Sequence, residues 1–334
     1  MAAWFILIPF FGINNLLLGL AIFCMVLSIF ILGKNALSFN LLLFCVIVLI
    51  FFTKSFETEA LKNSHIFNFD SQYSHISIQD GSQNGIKVRN LFVDNVPHAG
   101  RYLDSEELLY DYTQAYHLFH TFNPEAQKIV MFGGAAYSFP QSFLQQYPNK
   151  TIDVIEIDPK MTQLAQDFFW LNIDEKNLKI FHQDARVFIN QNDNKYDAIL
   201  GDAFWSFYSI PQQLTTRETV KRKIDMLNEN GVVLLNMIGS LAWKNSYFIA
   251  SEYKTYSEIF PEVFLLPIEN QDPEEIQNIL LVALKNSKKW DFTSDIPFMN
   301  SILERKSYLE IHENIPILTD DYAPVEYLIS KMSL

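Results

Sequence analysis

The sequence predicts an α/β protein in three parts: an apolar segment with two transmembrane helices (residues 1–56), a small antiparallel β unit (57–104) and a larger domain with a doubly wound sheet (105–334). Three observations predict this arrangement. Residues 1–56 contain no Asp or Glu. Residues 65–93 alternate between apolar and polar side chains, as half-buried strands do. After Lys128, apolar strand-like runs alternate with helical runs, which is the order that gives a parallel sheet.

The charge and the cysteines of the chain limit its chemistry. The net charge is −13, and all 38 acidic residues follow Phe56. Such a field repels nucleic acid and attracts cationic ligands. Both cysteines, Cys24 and Cys45, lie in the apolar segment. The rest of the chain therefore has no disulfide, thiolate metal site or cysteine nucleophile.

The apolar segment predicts a transmembrane helical hairpin. Leu16–Leu32 and Ala36–Phe52 are apolar runs separated by the polar Lys34, and a span needs about 20 apolar residues. A buried pair of soluble helices is the alternative, but such helices need polar faces. Lys54 and Lys62 beyond the second run favour a cytoplasmic C-terminal domain at a bacterial inner membrane.

The small β unit is predicted from alternating patterns and turn residues. The strands are His65–Phe69, Tyr73–Ile78 and Ile86–Val93, with turns at Asp80-Gly81 and Asn84-Gly85. These elements favour an antiparallel sheet.

A helix is predicted from Ser105, a good N-cap, through about Phe119. Its aromatic residues recur at helical spacing, which is more typical of a core than of a site. Its two histidines lack a carboxylate at useful spacing, so no metal site is predicted. The aromatic and histidine residues of this helix are Tyr110, Tyr112, Tyr116, His117 and His120.

The chain around Gly133 predicts a nucleoside site. A strand from Ile129 ends in the small residues Gly133, Gly134, Ala135 and Ala136. Ligands of open α/β sheets bind outside the carboxyl ends of the strands.

Glu156 is the predicted ribose ligand. A helix from Ser138 through Tyr147 leads to a strand over Thr151–Ile157. Glu156 in this strand follows Gly133 at close to the ~20-residue offset at which an acid accepts from ribose hydroxyls. A solvent-facing Glu is the alternative. Asp158-Pro159 is typical of a helix start.

Two further acids follow strands at the same edge. Asp184 comes after Leu178–Phe181 and precedes the short helix Ala185–Ile189. It either caps this helix or accepts from an adenine amino group, with the Ala185 backbone as the complementary donor. Asp202 ends the strand from Ala198 and precedes an aromatic loop, so it is a candidate general base or cation-stabilising group.

Later elements complete the sheet. Thr215 or Thr216 caps a helix to Asn228, Asn230-Gly231 ends it, and a fifth strand follows over Val232–Met237. Ile279–Leu284 is a further apolar strand.

The ordered motifs resemble the spermidine synthases (polyamine aminopropyltransferases), including members fused to N-terminal transmembrane segments. The resemblance covers roughly Ile66 to Ile329. The motifs are Asp70-Ser71-Gln72-Tyr73, Phe92-Val93-Asp94-Asn95, Glu107 to Tyr112, Gly133-Gly134, Glu156-Ile157-Asp158, Asp184-Ala185, Tyr196-Asp197, Asp202 and Leu318 to Glu326. It implies a small β domain followed by a Rossmann-like domain of the methyltransferase type.

The resemblance also implies residue roles. Glu156 holds the ribose of decarboxylated S-adenosylmethionine, Asp184 with Ala185 holds the adenine, and Asp202 orients and deprotonates the attacking amine. The remaining implied contacts are Gly133, Gly134 and Ser74 for the cofactor, and Tyr110 and Tyr73 for the substrate. No metal is implied.

The chain departs from the family pattern at several sites. The acid that faces the transferred group in the family is Ala136 here, a second acid aligns with Trp205, and a helix glutamate aligns with Tyr112. Two glutamines are replaced by Ser74 and His98.

Three hypotheses follow from the residues and the resemblance. The leading one is a membrane-anchored aminopropyltransferase that acts on a small amine. The second keeps the site but uses S-adenosylmethionine to methylate a hydrophobic acceptor. The third is a catalytically degenerate nucleoside-binding or scaffold protein at the membrane. The expected partners are the acceptor, membrane lipid and a second copy of the chain, without nucleic acid.

Overall fold

The computed structural model describes residues 16, 18–28, 44, 65–203, 210–242, 246–286 and 293–331. The chain divides into two compact units, Met1–Pro97 and His98–Leu334.

Residues 65–102 form an antiparallel sheet. Its strand order is β1-β2-β3-β4, and β2 pairs with both β1 and β3 in antiparallel register. The turn between β2 and β3 has positive φ at Asn84 and Gly85, as the sequence indicates for a two-residue hairpin. Asp80-Gly81, predicted as a turn, lies within β2 instead. The strands are β1 (His65–Asp70), β2 (His75–Gln83), β3 (Ile86–Val93) and β4 (Val96–Tyr102).

The second unit is built on a seven-stranded sheet with the order β10-β11-β9-β8-β5-β6-β7. This arrangement confirms the predicted α/β class. The strands are β5 (Lys128–Phe132), β6 (Thr151–Glu156), β7 (Leu178–His182), β8 (Tyr196–Gly201), β9 (Leu227–Gly239), β10 (Glu262–Pro267) and β11 (Gln277–Leu284). The helices are α1 (Asp111–Ala115), α2 (Leu118–Phe122), α3 (Ser138–Gln146), α4 (Pro159–Phe169), α5 (Ala185–Gln191), α6 (Arg217–Met226), α7 (Tyr247–Ser257), α8 (Pro297–Leu303) and α9 (Val325–Ser330).

The order of the strands places a switch point beside β5. The chain runs outward from β5 through β6 to β7, and then returns to place β8 on the other side of β5. All these pairs are parallel. Helices therefore leave opposite faces of the sheet next to β5, and the gap between them at the carboxyl ends is where ligands bind in such sheets.

The central strands are buried on both faces. Ile129 and Met131 of β5 pack into one apolar cluster, and Val130 and Phe132 pack into the other. This alternation follows from the two-residue period of a strand. The residues that end these strands are thereby fixed in position by a core on each side.

The predicted helix from Ser105 to Phe119 is wrong. Leu108 pairs in an isolated bridge with Arg101, and the helical residues form two short helices, α1 and α2. Ser105 does accept a hydrogen bond, from the backbone N–H of Glu107 at 3.1 Å. That bond closes a local turn rather than starting a helix.

The predicted stop at Asn230-Gly231 is also wrong. Helix α6 already ends at Met226, and Asn230 and Gly231 lie within β9. The pairing of β8 with β9 moves from Tyr196↔Leu227 to Ala198↔Val232, so β9 carries extra residues at this point. The Asn-Gly pair marks this irregularity of the ladder, which a single-sequence pattern does not separate from a helix end.

The predicted transmembrane hairpin and membrane location are corrected by the structure. Within the described ranges, no helix has both the length and the apolar composition that a bilayer span requires. Residues 18–28 are helical, and apart from Phe44 the second predicted run, residues 36–52, lies outside the described residues. Apolar composition predicts a span only if one continuous helix of about 20 residues forms.

Candidate active site

Gly133 allows the loop after β5 to approach the end of β8. Its φ is +94°, and a Cβ atom there would lie 2.3 Å from the backbone oxygen of Asp202. Its N–H donates to the oxygen of Ile155 at 2.9 Å. A side chain at this position would meet backbone rather than a movable group, so glycine is required.

Two further residues of the loop have a left-handed backbone conformation. Ala135 and Tyr137 have φ values of 44° and 57°. The Tyr137 ring lies against Gly134, where a Cβ atom would be 2.6 Å from it. Ala136 is fully buried. The loop therefore carries a buried methyl group at this position instead of an acid.

Glu156 ends β6 and accepts hydrogen bonds from this loop. Its Oε2 atom accepts from the N–H groups of Gly134 at 2.8 Å and Ala135 at 3.2 Å, and Oε1 accepts from the N–H of Asp158 at 2.9 Å. The side chain is 7% exposed. Burial raises the pKa of this carboxyl, and the three N–H donors oppose the shift.

Asp184 and Ala185 lie at the start of α5. The Oδ1 atom of Asp184 accepts from the N–H of Val187 at 3.0 Å, which is an N-cap bond. Both residues are partly exposed. The N–H of the first helical residue, Ala185, has no acceptor within the helix by the geometry of an α-helix.

Asp202 follows β8 directly beside the Gly133 loop. Its N–H donates to the oxygen of Phe132 at 2.8 Å, which ties the end of β8 to the end of β5. Asn236 of β9 donates from Nδ2 to the Asp202 Oδ1 atom at 3.3 Å. The hydroxyl of Tyr116 donates to the oxygen of Gly201 at 2.8 Å.

Burial raises the pKa of Asp202 to about 7, and the hydrogen bond from Asn236 and the nearby Tyr116 hydroxyl both oppose this shift. A general base is most effective when its pKa lies near the working pH. Asp202 is therefore poised to gain and lose a proton near neutral pH.

Tyrosine rings lie beside this carboxyl. Tyr110 and Tyr112 are stacked with ring centroids 6.0 Å apart, and Tyr112 meets Tyr116 edge-on at 6.3 Å. Burial raises the pKa values of the Tyr112 and Tyr116 phenols, and the charge of Asp202 raises both further. The phenols are consequently neutral at physiological pH.

The structure groups some predicted residues and leaves others in the first unit. Gly133, Gly134, Glu156 and Asp202 meet at the ends of three neighbouring strands. Ser74 and Tyr73 belong to the first unit, where the Ser71 side chain accepts from both backbone N–H groups at 3.1 Å. The Ser74 hydroxyl is buried and has no hydrogen-bond partner in the described part of the chain.

Asp197 has a structural role in the described part of the chain. Asp197 accepts from the backbone N–H groups of Gln127 and Lys128 at 2.8 and 2.9 Å. It thus joins the start of β8 to the start of β5, at the end of the sheet opposite Asp202. Trp205 lies outside the described residues. Across the described ranges, no group of His, Cys, Asp and Glu is arranged to hold a metal ion.

Sequence reasoning missed two members of the site. Asn236 lies within an apolar strand, and a polar residue there is the signal that was available. Tyr116 is one of several aromatics at helical spacing, a pattern that favours a core, and it is indeed fully buried. Its hydroxyl nonetheless lies at the end of β8.

A family model and several known proteins that are similar to this chain bear related names. The model of the spermine/spermidine synthase domain matches residues 113–270. The polyamine aminopropyltransferase of Vibrio vulnificus is 28% identical over 220 residues, which are 62% of this chain and 71% of the relative. The enzyme of the same name from Streptococcus uberis is 24% identical over 52% of this chain and 64% of its own length.

These matches support the spermidine synthase family. The predicted enzyme class, a transferase, agrees with the names of these relatives. Neither match supports the predicted fusion to transmembrane segments.

Solved structures of spermidine synthases share the fold. A probable spermidine synthase from Corynebacterium glutamicum has a TM-score of 0.64 and 18% identity, and covers 77% of this chain and 97% of its own. The Thermotoga maritima spermidine synthase has a TM-score of 0.56 and 16% identity, with coverage of 72% and 84%. At these identities the likeness shows the Rossmann-like fold of the family.

Proposed function

We propose that this protein transfers an aminopropyl group from decarboxylated S-adenosylmethionine to an amine, with Asp202 as the acid/base. The observation that carries the proposal is the position of Asp202. It lies at the switch point of the sheet next to the Gly133 loop, and its pKa is raised to about 7. The names of the relatives support the same reaction.

The residues present fit the nucleoside of this co-substrate. A carboxylate has about four acceptor positions, and Glu156 uses three of them for the loop and Asp158. One position therefore remains for a ribose hydroxyl. Asp184 has a second oxygen and Ala185 a backbone donor, which together complement an adenine edge.

Asp202 performs the proton transfer in this proposal. The co-substrate supplies an electrophilic carbon next to a sulfonium and a neutral thioether leaving group. Asp202 accepts a proton from the amine as its nitrogen becomes bonded to carbon, and Asn236 keeps the carboxyl oriented through its 3.3 Å hydrogen bond. Positioning and relief of charge on the nitrogen are the effects that such a site supplies.

The remaining roles complete the proposal. Gly133 and Gly134 line the co-substrate, and Tyr110 lines the acceptor. Ser74 for the co-substrate and Tyr73 for the acceptor are implied by the family resemblance alone and stay predictions.

The test is product formation by the purified full-length chain. We expect methylthioadenosine to accumulate with decarboxylated S-adenosylmethionine and an amine, and not with the amine omitted. With S-adenosylmethionine as donor, we expect no S-adenosylhomocysteine. Methyl transfer without aminopropyl transfer would replace this function by the methyltransferase alternative, and binding of neither donor by folded protein would remove both.

A further inference from the structure

Tyr112 and Tyr116 lie near the Asp202 carboxyl, and Tyr110 stacks on Tyr112. We call these three residues the tyrosine wall. Tyr110 stacks on Tyr112, and Tyr112 contacts Tyr116 edge-on. Tyr116 is fully buried, whereas Tyr110 and Tyr112 are partly exposed and present ring surface. Aromatic rings of this kind bind hydrocarbon, and their faces also attract a single cation.

Asp202 provides one negative charge at this wall. Burial accounts for its raised pKa, and among the described residues no second carboxylate contributes to that shift. The phenols of Tyr112 and Tyr116 are neutral, because burial and Asp202 both raise their pKa values. Ala136 of the loop is buried and uncharged.

Asn236 adds one hydrogen-bond acceptor beside the Asp202 carboxyl. Its Nδ2 atom donates to Asp202, while its Oδ1 atom is buried and has no hydrogen-bond partner among the residues that the structure describes. The side chain is 8% exposed. An unpaired acceptor this deeply buried is costly, and an N–H group of a bound amine would satisfy it. Asp202 and Asn236 together match the donors of one amino group.

We propose that the acceptor is a monoamine with an apolar body, which packs on the tyrosine wall, rather than a diamine. This inference rests on the proposed function and names its substrate class. The amino group lies between Asp202 and Asn236, and the hydrocarbon or aromatic part lies against Tyr110 and Tyr112.

A diamine would place a second ammonium against this wall. Burial of an ammonium without an opposite charge is strongly unfavourable, and the attraction of a ring face for a cation offsets only part of that cost. Asp111 follows Tyr110 in the chain, but it is exposed, and solvent and salt screen the attraction of an exposed carboxylate. The site thus favours the acceptor that carries no second charge.

The reaction with such an acceptor is balanced. The neutral nitrogen of the monoamine forms a bond to the propyl carbon as the carbon–sulfur bond breaks, and the bonding pair remains on sulfur. The products are an N-aminopropyl amine and methylthioadenosine. The proton lost by the nitrogen passes to Asp202 and then to water.

The experiment compares acceptors at a fixed concentration of decarboxylated S-adenosylmethionine. The acceptors are n-butylamine, n-hexylamine and 2-phenylethylamine, against 1,4-diaminobutane and 1,6-diaminohexane. The measured quantity is kcat/KM from methylthioadenosine release. We expect the monoamines to exceed the diamine of equal length by at least tenfold.

Variants of Tyr112 separate charge from shape. Tyr112→Glu adds a carboxylate at the wall and should shift the ratio of diamine to monoamine by at least tenfold toward the diamine. Tyr112→Gln changes the shape without charge and should not shift the ratio in that direction. Tyr327→Glu, at an exposed residue of α9, is the matched control and should leave the ratio unchanged. Thermal unfolding verifies that each variant is folded.

The outcomes distinguish the two proposals. Equal or faster transfer to the diamines by the unmodified chain would overturn the monoamine inference and leave aminopropyl transfer in place. A Tyr112→Glu variant that is folded and active but has an unchanged ratio would also overturn it. Absence of transfer to every amine would overturn the proposed function, and the inference with it.

Discussion

The Nδ2 atom of Asn236 lies 3.3 Å from the Oδ1 atom of Asp202 and donates a hydrogen bond to it across two neighbouring parallel strands. The bond orients the carboxyl group through its Oδ1 atom. It also opposes the effect of burial, which raises the pKa of Asp202 to about 7. The carboxyl group is thereby oriented and kept near the point of half-ionisation at neutral pH.

The activity should depend on pH through Asp202. The ionised carboxylate is the form that accepts a proton, and its pKa is about 7. We therefore expect kcat/KM to rise about tenfold per pH unit below pH 7 and to level off above about pH 8. The amine acceptor titrates as well, so the profile is measured with two acceptors of different pKa. A rising limb that moves fully with the acceptor pKa would contradict the role of Asp202.

Tyr116→Phe should move this profile to higher pH. The Tyr116 hydroxyl, which donates to the Gly201 oxygen at 2.8 Å, lowers the pKa of the neighbouring Asp202 carboxyl, and its removal takes that stabilisation away from the carboxylate. We therefore expect the midpoint to move to higher pH when the hydroxyl is removed. The measurement is the midpoint of the kcat/KM profile.

A matched control for this variant is Tyr196→Phe. The Tyr196 hydroxyl donates to Asp153 at 2.8 Å, at the opposite end of β8 from Asp202. The Tyr196→Phe variant should have a lower melting temperature and an unchanged midpoint of the kcat/KM profile. A midpoint that moves equally in both variants would show that the shift reflects general loosening of the fold.

Asp202→Asn should stabilise the protein at alkaline pH. The folded-state pKa of Asp202 is raised from 3.8 to about 7, so folding favours the protonated form. Its contribution to stability is fully present below the unfolded pKa and is lost as the pH rises through about 7. The difference in melting temperature, variant minus parent, should therefore increase from pH 5 to pH 8. A constant difference over this range would contradict the raised pKa.

Gly133→Ala should destabilise the fold by about 2–4 kcal/mol, because strained backbone and a backbone clash combine. The new Cβ atom would lie 2.3 Å from the Asp202 backbone oxygen at a φ of +94°. The measurement is the free energy of unfolding in urea. Gly81→Ala is the control, since a Cβ atom there meets nothing within 4 Å, and its effect should be below about 1 kcal/mol. Similar costs at both glycines would contradict the close approach.

Glu156→Gln should weaken the binding of methylthioadenosine by about 10–100-fold, because one carboxylate oxygen becomes an amide donor. That donor faces N–H groups of the loop or of Asp158 instead of accepting from them. Calorimetric titration measures the affinity. Glu175→Gln, at an exposed glutamate, should bind as the parent does. Unchanged affinity in the Glu156 variant would exclude this residue from the nucleoside site.

The acids at the ends of the strands could be predicted, because each strand is recognisable from its own apolar residues. Each apolar run marks a buried strand, and the residue that follows it lies at the carboxyl edge of the sheet. Glu156 and Asp202 are therefore visible in one sequence. Asp158 and Thr216 are also visible as helix caps, and both accept the predicted backbone hydrogen bonds.

The partners of Asp202 could not be predicted because they depend on tertiary pairing. Asn236 is 34 residues away in the chain, and only the register of β8 against β9 brings it to the carboxyl. Tyr116 reaches Gly201 across 85 residues through helix packing. The helix predicted from Ser105 does not form for a related reason. The bridge between Leu108 and Arg101 is a tertiary contact that outweighs the local preference for a helix.

The most direct test of the account is single-turnover aminopropyl transfer by the parent chain and by Asp202→Asn. Both proteins are saturated with decarboxylated S-adenosylmethionine at pH 8, mixed with excess n-hexylamine and quenched, and methylthioadenosine is measured over time. We expect transfer by the parent and a decrease of about 10²–10⁴-fold in the variant, the usual range for loss of a general base, with unchanged affinity for methylthioadenosine. Equal rates in the two proteins would contradict the central role of Asp202.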